Sequence, residues 1–462
     1  MEREGSPAQL PTSKHRKESS PSTATSPVHS LTDDVLLQIF LRLPSLATLV
    51  RAALACRSWR RAVASSPAFR RRFRELHPAP LLGLFFESPS AVQDPVLPAF
   101  PSFVPARRRD RDLAAAVRGG DFFLTSIQEH PDKAHSWEIL DCRSGYVLLC
   151  NGDRLSEEAM AVVNPLERRS ELFFDDLHKD TFEGYRGYLA VRNACLLCSD
   201  EDPASFRVVR LAHDESRVRA TVFFSDTRKW KLYPWVDVPG RPRRSKSWLL
   251  NSKMQSNGFL YWVYKNHKYM VTLNTATMDF SVEELPPFLE NRRCSFDVGE
   301  TSSGTRCIVY ATNFTVGLML RRTDSDGVEK WMLDRATPLD TQLDGVLRKQ
   351  KGNYDELLVV AVRDGFAYLA TSKFIYDSQN PSWFLSLCLE TMKLENLFQR
   401  TYDSGAHPSV MAWPPCLVGN YGRFALEDGI LFHLIVQNSE MCTIQGDNLR
   451  GHEKYCLQHI FG

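Results

Sequence analysis

Apolar side chains are spaced in two different ways along the 462 residues. From residue 30 to the mid-seventies they return every three or four positions, and beyond about residue 80 they gather into short runs bounded by Gly, Asp and Asn. The first spacing predicts helices. Leu31-Thr32-Asp33-Asp34 places a hydroxyl and two carboxylates at a helix start, where unpaired N–H groups and the macrodipole favour them. Val35, Leu36, Ile39, Phe40 and Leu43 then read as one apolar stripe. Pro44 ends that helix and Ser45 caps the next, which carries Leu46, Leu49, Val50, Ala53 and Leu54. A third helix is expected over Trp59, Ala62 and Val63, and Ser66-Pro67 opens a fourth with Phe69 and Phe73. Helices this short make a thin core, so the bundle is expected to lean on a partner.

The second spacing predicts strands. A unit recurs irregularly, opening with Gly and an apolar run: Gly145 to Leu149, Gly258 to Trp262, Gly365 to Leu369 and Gly429 to Phe432, with Gly187 and Gly317 as weaker openers. In three of them a second strand runs into a turn, at Asn164-Pro165, Asn274-Thr275 and Glu390-Thr391. The openers recur at intervals near the roughly 40–50-residue period of propeller blades, lengthened by loop insertions. A small all-α bundle followed by an all-β domain, an irregular β-propeller, is the expected fold, with a pair of β-sandwiches as the alternative. One short helix is expected near 339–348, and Leu82 to Phe86 is expected to add a strand to the last blade beside the C-terminal segment. The resulting organisation is a disordered tail over 1–28, a helical domain over 29–77, a linker over 78–120 with the closing strand, and a β-propeller-like recognition domain over 121–462.

Composition narrows the class without naming a chemistry. With 43% hydrophobic and 24% charged residues the chain reads as globular, and its net charge of +2 gives no global attraction to nucleic acid or membrane. Residues 1–28 are rich in Ser, Pro, Thr and Lys and cannot bury enough apolar surface to offset their ordering entropy. The opening Met1-Glu2-Arg3-Glu4 has no apolar h-region, so no secretory leader is expected. The 11 cysteines show no regular spacing and several lie inside apolar runs, as core thiols do. Cys195-Leu196-Leu197-Cys198 has metal-ligand spacing, but it is half of a zinc site with no second half. Reduced cysteines and no leader point to a cytoplasmic and/or nuclear chain.

The segment LTDDVLLQIFLRLPSL over 31–46, followed by Cys56-Arg57-Ser58-Trp59, resembles the F-box. Leu31, Ile39, Leu43, Pro44, Cys56 and Trp59 match that motif, and Thr32 stands where Pro is usual. Further on, Asp141-Cys142-Arg143-Ser144-Gly145 leading into Tyr146 to Leu149 and Asn164-Pro165 resembles the first blade of plant F-box-associated propellers. Phe206 to Val209 with Ser225 to Trp230, and Gly258 to Trp262 with Glu284 to Pro287, resemble later blades. The order of the two parts, with the phrase Asp121-Phe122-Phe123-Leu124, resembles large families in grasses. The resemblance implies a substrate receptor of an SCF-type cullin–RING E3 ubiquitin ligase. The F-box would dock on a Skp-type adaptor through Leu31, Thr32, Leu36, Ile39, Leu43, Pro44, Val50, Cys56 and Trp59, and the β domain would present an unknown protein substrate.

No phosphate loop, nucleophile elbow or H-E-x-x-H helix is present, and no catalytic residue, cofactor or metal ligand is assigned. The alternative readings are an enzyme built on the propeller, its residues brought together from distant positions, and a scaffold whose helices only resemble an F-box. Two basic stretches stand out. Arg107-Arg108-Arg109-Asp110-Arg111, before the first blade, and the loop with Arg241, Arg243, Arg244 and Lys246 each read either as a solvated run or as a partner for an acidic or phosphorylated substrate segment, the second being the better candidate for recognition. The aromatics are not interleaved with these charges as nucleic-acid stacking requires.

Overall fold

The computed structural model describes residues 31–87, 100–106, 110–127, 137–151, 158–175, 182–198, 205–239, 247–290, 294–347, 354–372, 381–401, 405–414 and 417–418. The tail 1–28, the stretch 107–109, the basic loop 241–246 and the opener at Gly429 lie outside them, as does all of the expected domain beyond 418.

Four short helices come first: α1 (Asp33–Phe40), α2 (Leu46–Leu54), α3 (Arg57–Ala64) and α4 (Pro67–Leu76). Ser45 and Ser66 cap α2 and α4, their hydroxyls accepting from the N–H groups of Thr48 and Phe69 at 3.2 Å, and Pro67 occupies the first turn of α4. Thr32 precedes α1 in an extended conformation without a side-chain cap, so the two carboxylates of the first turn, Asp33 and Asp34, carry the electrostatic part of that start. A fifth helix, α5 (Arg111–Gly119), is capped by Asp110, and the short helix anticipated near 339–348 is α6 (Asp340–Val346).

Strands fill most of the remainder and form a six-bladed β-propeller. Blade I holds Trp137–Arg143, Tyr146–Asn151, Glu158–Asn164 and Arg169–Asp175, paired antiparallel in chain order. Blades III, IV and V repeat that order from Leu249, Ser295 and Glu356, and blade II adds two-residue strands at Ala190–Val191 and Val236–Asp237 to its four. Blade VI joins the two ends of the ring: Ala406–Val410 pairs with Leu81–Phe86, which pairs with Ser102–Pro105. The segment 78–120, expected as a linker, thus contains two strands and α5.

The blade unit differs from its expected form in phase. Gly145, Gly258 and Gly365 stand before the second strand of blades I, III and V, in turns where Ser144, Asn257 and Asp364 also have positive φ. Two left-handed residues in succession are the mark of a type I′ hairpin, whose twist matches the strands it joins. At Gly365 space is also decisive, because a Cβ there would lie 2.8 Å from the amide nitrogen of Ser302 in blade IV. The strands before these turns show no clean apolar run in the sequence because they line the channel and carry Asp141, Arg143, Lys253 and Arg363. Gly187 precedes the small strand of blade II, and Gly317 lies within the third strand of blade IV, beneath the ring of Tyr310.

The bundle and the propeller share one core. Leu36, Phe40, Leu49 and Phe73 join Leu82, Phe85, Leu113, Phe122, Val147 and Trp413 in a single buried cluster. The Phe73 ring meets Trp413 edge-on at 6.0 Å, and the Arg74 guanidinium lies over the same indole at 5.2 Å and donates to the Met411 carbonyl at 3.1 Å. Behind the closing strand, Phe122 packs on Phe85 and Phe103, while Asp121 accepts from Thr125 and Ser126. Closure itself rests on aromatic packing. Phe86 is 1% exposed and meets Phe384 of blade V at 5.0 Å, with Arg400 over its ring. Phe86→Ala is expected to cost about 3–5 kcal/mol in urea unfolding. A loss below about 1 kcal/mol would show that the strand does not hold the ring closed.

Candidate functional site

Three places in the molecule offer a surface or a polar constellation: the bundle, the channel and the face of the propeller away from the bundle. On α1 the expected stripe divides in two. Leu36 and Phe40 are 4% and 3% exposed, whereas Val35 and Ile39 are 47% and 46% exposed and continue to Leu31 at 38%. Residues 35 to 43 cover an arc of roughly 140°, wider than three neighbouring short helices can shield, so its edge stays in solvent. Of the residues assigned to adaptor contact, Leu31, Thr32, Ile39 and Pro44 are exposed, while Leu43, Cys56 and Trp59 are half-buried. Trp59 rests edge-on against Phe40 at 5.6 Å. Leu36 and Val50 are buried in the bundle core and do not reach its surface, because their partners there are the helices themselves. Val35, outside that set, stands one helical turn from Ile39 on α1, and Leu31 is exposed just before the helix.

The propeller channel is filled by charge. Asp141, on the inner strand of blade I, accepts from the Leu196 amide of blade II at 2.8 Å and lies 3.5 Å from the Lys253 ammonium of blade III. That ammonium donates to the carbonyls of Leu140 and Ala194, so one lysine ties three blades. Arg143 crosses to the Gln255 carbonyl at 2.7 Å and stands 3.9 Å from Glu300 of blade IV. Asp297 repeats the Asp141 device between blades IV and V, accepting from Val362 at 2.8 Å. The two carboxyls titrate in opposite directions. Burial works to raise Asp141, but Lys253 and then Arg363 outweigh it and hold the group below its ordinary value. Burial dominates at Asp297 and pushes it up to about 6, against Arg363 and its two amide donors.

Cavities open at both ends of the channel. One of about 410 Å³ lies between α4, with Arg70, Arg71 and Arg74, and the hairpin turns at Ser144, Asn257, Ser302 and Asp364. The other, about 250 Å³, opens on the far face among Asn193, Asn251, Lys253, Glu87 and His407. On that far face blade II carries an ordered polar cluster. Asp214 accepts from the amides of Ser216 and Arg217 at 2.8 Å and from the Arg217 guanidinium, and burial pulls His213 down to about 4 so that its ring is neutral. Arg192 then donates to His213 Nε2 at 2.8 Å and to Ser247 at 2.6 Å, and Trp248 donates to the Asp214 carbonyl at 2.7 Å. Tyr264 donates to the Pro239 carbonyl at 2.8 Å. The residues on either side of the basic loop are therefore fixed on the face opposite the bundle.

The buried Cys142, Cys195 and Cys307 offer little nucleophilic chemistry. Burial pushes Cys142 and Cys195 up to about 12 and raises Cys307 further. Cys195 and Cys198 sit on one strand, and an interval of three residues sends their side chains to opposite faces, into different clusters. They do not converge on one metal. Among the described residues no group of three His, Cys, Asp or Glu side chains could hold a metal ion, and no helix is long and apolar enough to cross a membrane.

Two family models match the chain. Residues 138–417 match "F-box protein AT5G49610-like, beta-propeller", and residues 30–75 match "F-box-like". No curated protein matches. Among solved structures, the chain is similar to a puromycin hydrolase, with 13% identity over 58% of this chain and a TM-score of 0.32. It covers 38% of that hydrolase's length. A protein of unknown function from Bacteroides caccae is similar at 8% identity over 71% of this chain and 99% of its own, with a TM-score of 0.37. The SapL1 lectin, in complex with alpha methyl fucoside, is similar at 12% identity over 61% of this chain and 81% of its own, with a TM-score of 0.31. At these TM-scores the solved structures carry no argument about function.

The opposed carboxyls give a pH test. Asp141 contributes stability that is complete above its ordinary pKa of 3.8 and lost as pH falls below it, so Asp141→Asn should cost about the same, roughly 3–5 kcal/mol, at pH 5 and at pH 7. Asp297 holds its proton in the folded state up to about pH 6, so its contribution falls as pH rises from 3.8 to about 6. The cost of Asp297→Asn should therefore shrink between about pH 5 and pH 7. Urea midpoints of both variants at the two pH values check this, and parallel changes in the two would contradict the assignment.

Proposed function

The chain belongs to the F-box proteins with an AT5G49610-like β-propeller, and from that membership we propose that it is the substrate receptor of an SCF-type cullin–RING E3 ubiquitin ligase. F-box-like domains generally bind Skp1-type adaptors. The observation that carries the reading is the placement of the two surfaces. One side of the bundle is spent on the propeller through Phe73, Arg74 and Trp413, while the line Leu31, Val35 and Ile39, just before and along α1, stays exposed. That line, with Pro44 and the half-buried Leu43 and Trp59, is the adaptor surface. The propeller contributes no chemistry to ubiquitin transfer in this reading. It holds a substrate on the far face, and the ligase works in the cytoplasm and/or nucleus.

The adaptor surface separates from the fold by mutation. Ile39→Asp places a charge where a half-exposed apolar side chain would be covered, worth about 1.5 kcal/mol or more, so co-purification with a Skp-type adaptor should weaken by at least about tenfold. The thermal midpoint of the free chain should barely move. Leu36→Asp, by contrast, should lower that midpoint sharply because it buries a charge. Unimpaired capture by the Ile39→Asp chain would sink the proposed surface.

Arg241, Arg243, Arg244 and Lys246, in the segment between Pro239 and Ser247, are proposed to meet an acidic or phosphorylated segment of the substrate through charge-assisted hydrogen bonds. Replacing all four with Ser should leave adaptor capture intact and abolish chain-dependent ubiquitin-remnant peptides in cell proteomics. Remnants that persist at wild-type abundance would remove the loop from substrate recognition.

A further inference from the structure

The outer strand of blade IV, Glu329–Pro338, has ten residues, against four to eight in the outer strands of the other blades. Among the described residues it pairs on one side only, with Thr315–Thr323. Other blades cover comparable edges. Arg228 and Trp230 donate to the Leu172 and Phe174 carbonyls of blade I, and the Gln342 side chain accepts from Leu394 and donates to the Met392 carbonyl in blade V. Among the described residues no backbone hydrogen bond joins the outer edge of Glu329–Pro338 to another element. Met332 and Leu333 at its centre are 44% and 57% exposed. An exposed edge of this length, apolar at its middle, is a template for a further strand.

The charge pattern identifies the strand that fits. Lys330 bonds Asp324 and Asp334 bonds Arg322, and Lys330 and Arg322 are direct cross-strand neighbours, so Lys330 and Asp334 share one face of the sheet. They lie two residues to either side of Met332. An antiparallel second copy of the strand, related by a two-fold axis at Met332, sets each Lys330 opposite the other copy's Asp334. Met332 then meets Met332 between these pairs, and Trp331 meets Leu333 on the other face. The Asp334 carboxylate keeps acceptor capacity beyond its bonds to Arg322 and Arg335. Any other register in this stretch loses one or both ion pairs.

We infer that Glu329–Pro338 is a self-association edge, through which two copies of the chain join blade IV to blade IV in a continuous antiparallel sheet. The joint uses the outer strand of blade IV, three blades around the ring from blade I, whose buried side chains share a cluster with the helices. The closure is isologous, which limits the assembly to a dimer.

The register makes a test that a general hydrophobic contact would not pass. Lys330→Glu sets Glu opposite Asp334 twice, and Asp334→Lys sets Lys opposite Lys330 twice. Each full-length variant alone should associate at least about tenfold more weakly than the wild type in analytical ultracentrifugation. An equimolar mixture of the two restores opposite charges at both pairs and should recover the dimer. Thermal melts matching the wild type show that the variants fold. A wild-type chain that stays monomeric, variants that dimerise unchanged, or a mixture that fails to recover would each overturn the proposal. So would an extended peptide of another sequence that protects 329–338 from hydrogen exchange while the chain remains a monomer.

Discussion

The ring of blades depends on one strand being brought from far away in the chain. A propeller with five complete sheets and a gap would leave two sheet faces and two strand edges in water, each a liability in itself. Leu81–Phe86 removes the gap by pairing with Ala406–Val410, and its buried side chains Leu82, Leu84, Phe85 and Phe86 are divided between the blades and helices on its two sides. The same strand sets the bundle in place. Only residues 77 to 80 separate it from α4, so the helices are pulled against the rim, where Phe73 and Arg74 find Trp413. Because the bundle shares its core with the propeller, a surface on α1 keeps a fixed orientation relative to the far face.

Inside the ring, closeness is achieved with ions rather than with hydrocarbon. Inner strands converge toward an axis, and side chains long enough to cross it must end in polar groups that satisfy backbone on the opposite side. Lys253 and Arg143 do this with carbonyls of other blades, and Asp141 and Asp297 do it with amides. Removing one member leaves a desolvated charge, which costs more than the pair contributes. The channel is in this sense a structural plug. Its two mouths are unlike: one is lined by the arginines of α4, and the other lies on the face that carries the polar cluster of blade II.

Much of this arrangement was legible in residue order, and the limits have physical causes. The capped helix starts, the Pro44 break and the type I′ glycines carry local signals that tertiary contacts do not override. The inner strands carried none, since a strand facing a charged channel loses the apolar alternation by which strands are recognised. Glycine spacing alone was also ambiguous: Gly317 answers to the ring of Tyr310 and not to a turn. On α1 the period identified the helix but not its inward face, because the apolar arc spans both core and solvent. The register at Glu329–Pro338 was out of reach for another reason, since it requires knowing that Asp334 occupies a bulge and keeps the side of Lys330.

Closure by a distant strand also fixes when the molecule can be finished. Glu87 and His407, which bond across the closing pair, are separated by 320 residues. At a synthesis rate of about 5–20 residues per second, the closing strand and the bundle attached to it leave the ribosome roughly 15–65 s before their partner strand exists. For that interval Phe85 and Phe86 have no finished ring to enter, and the helices lack Trp413 to rest on. The nascent chain therefore passes through a stage in which its earliest-made part is the last to be buried, and its yield in a cell is set by how well that waiting segment is shielded while the blades accumulate behind it.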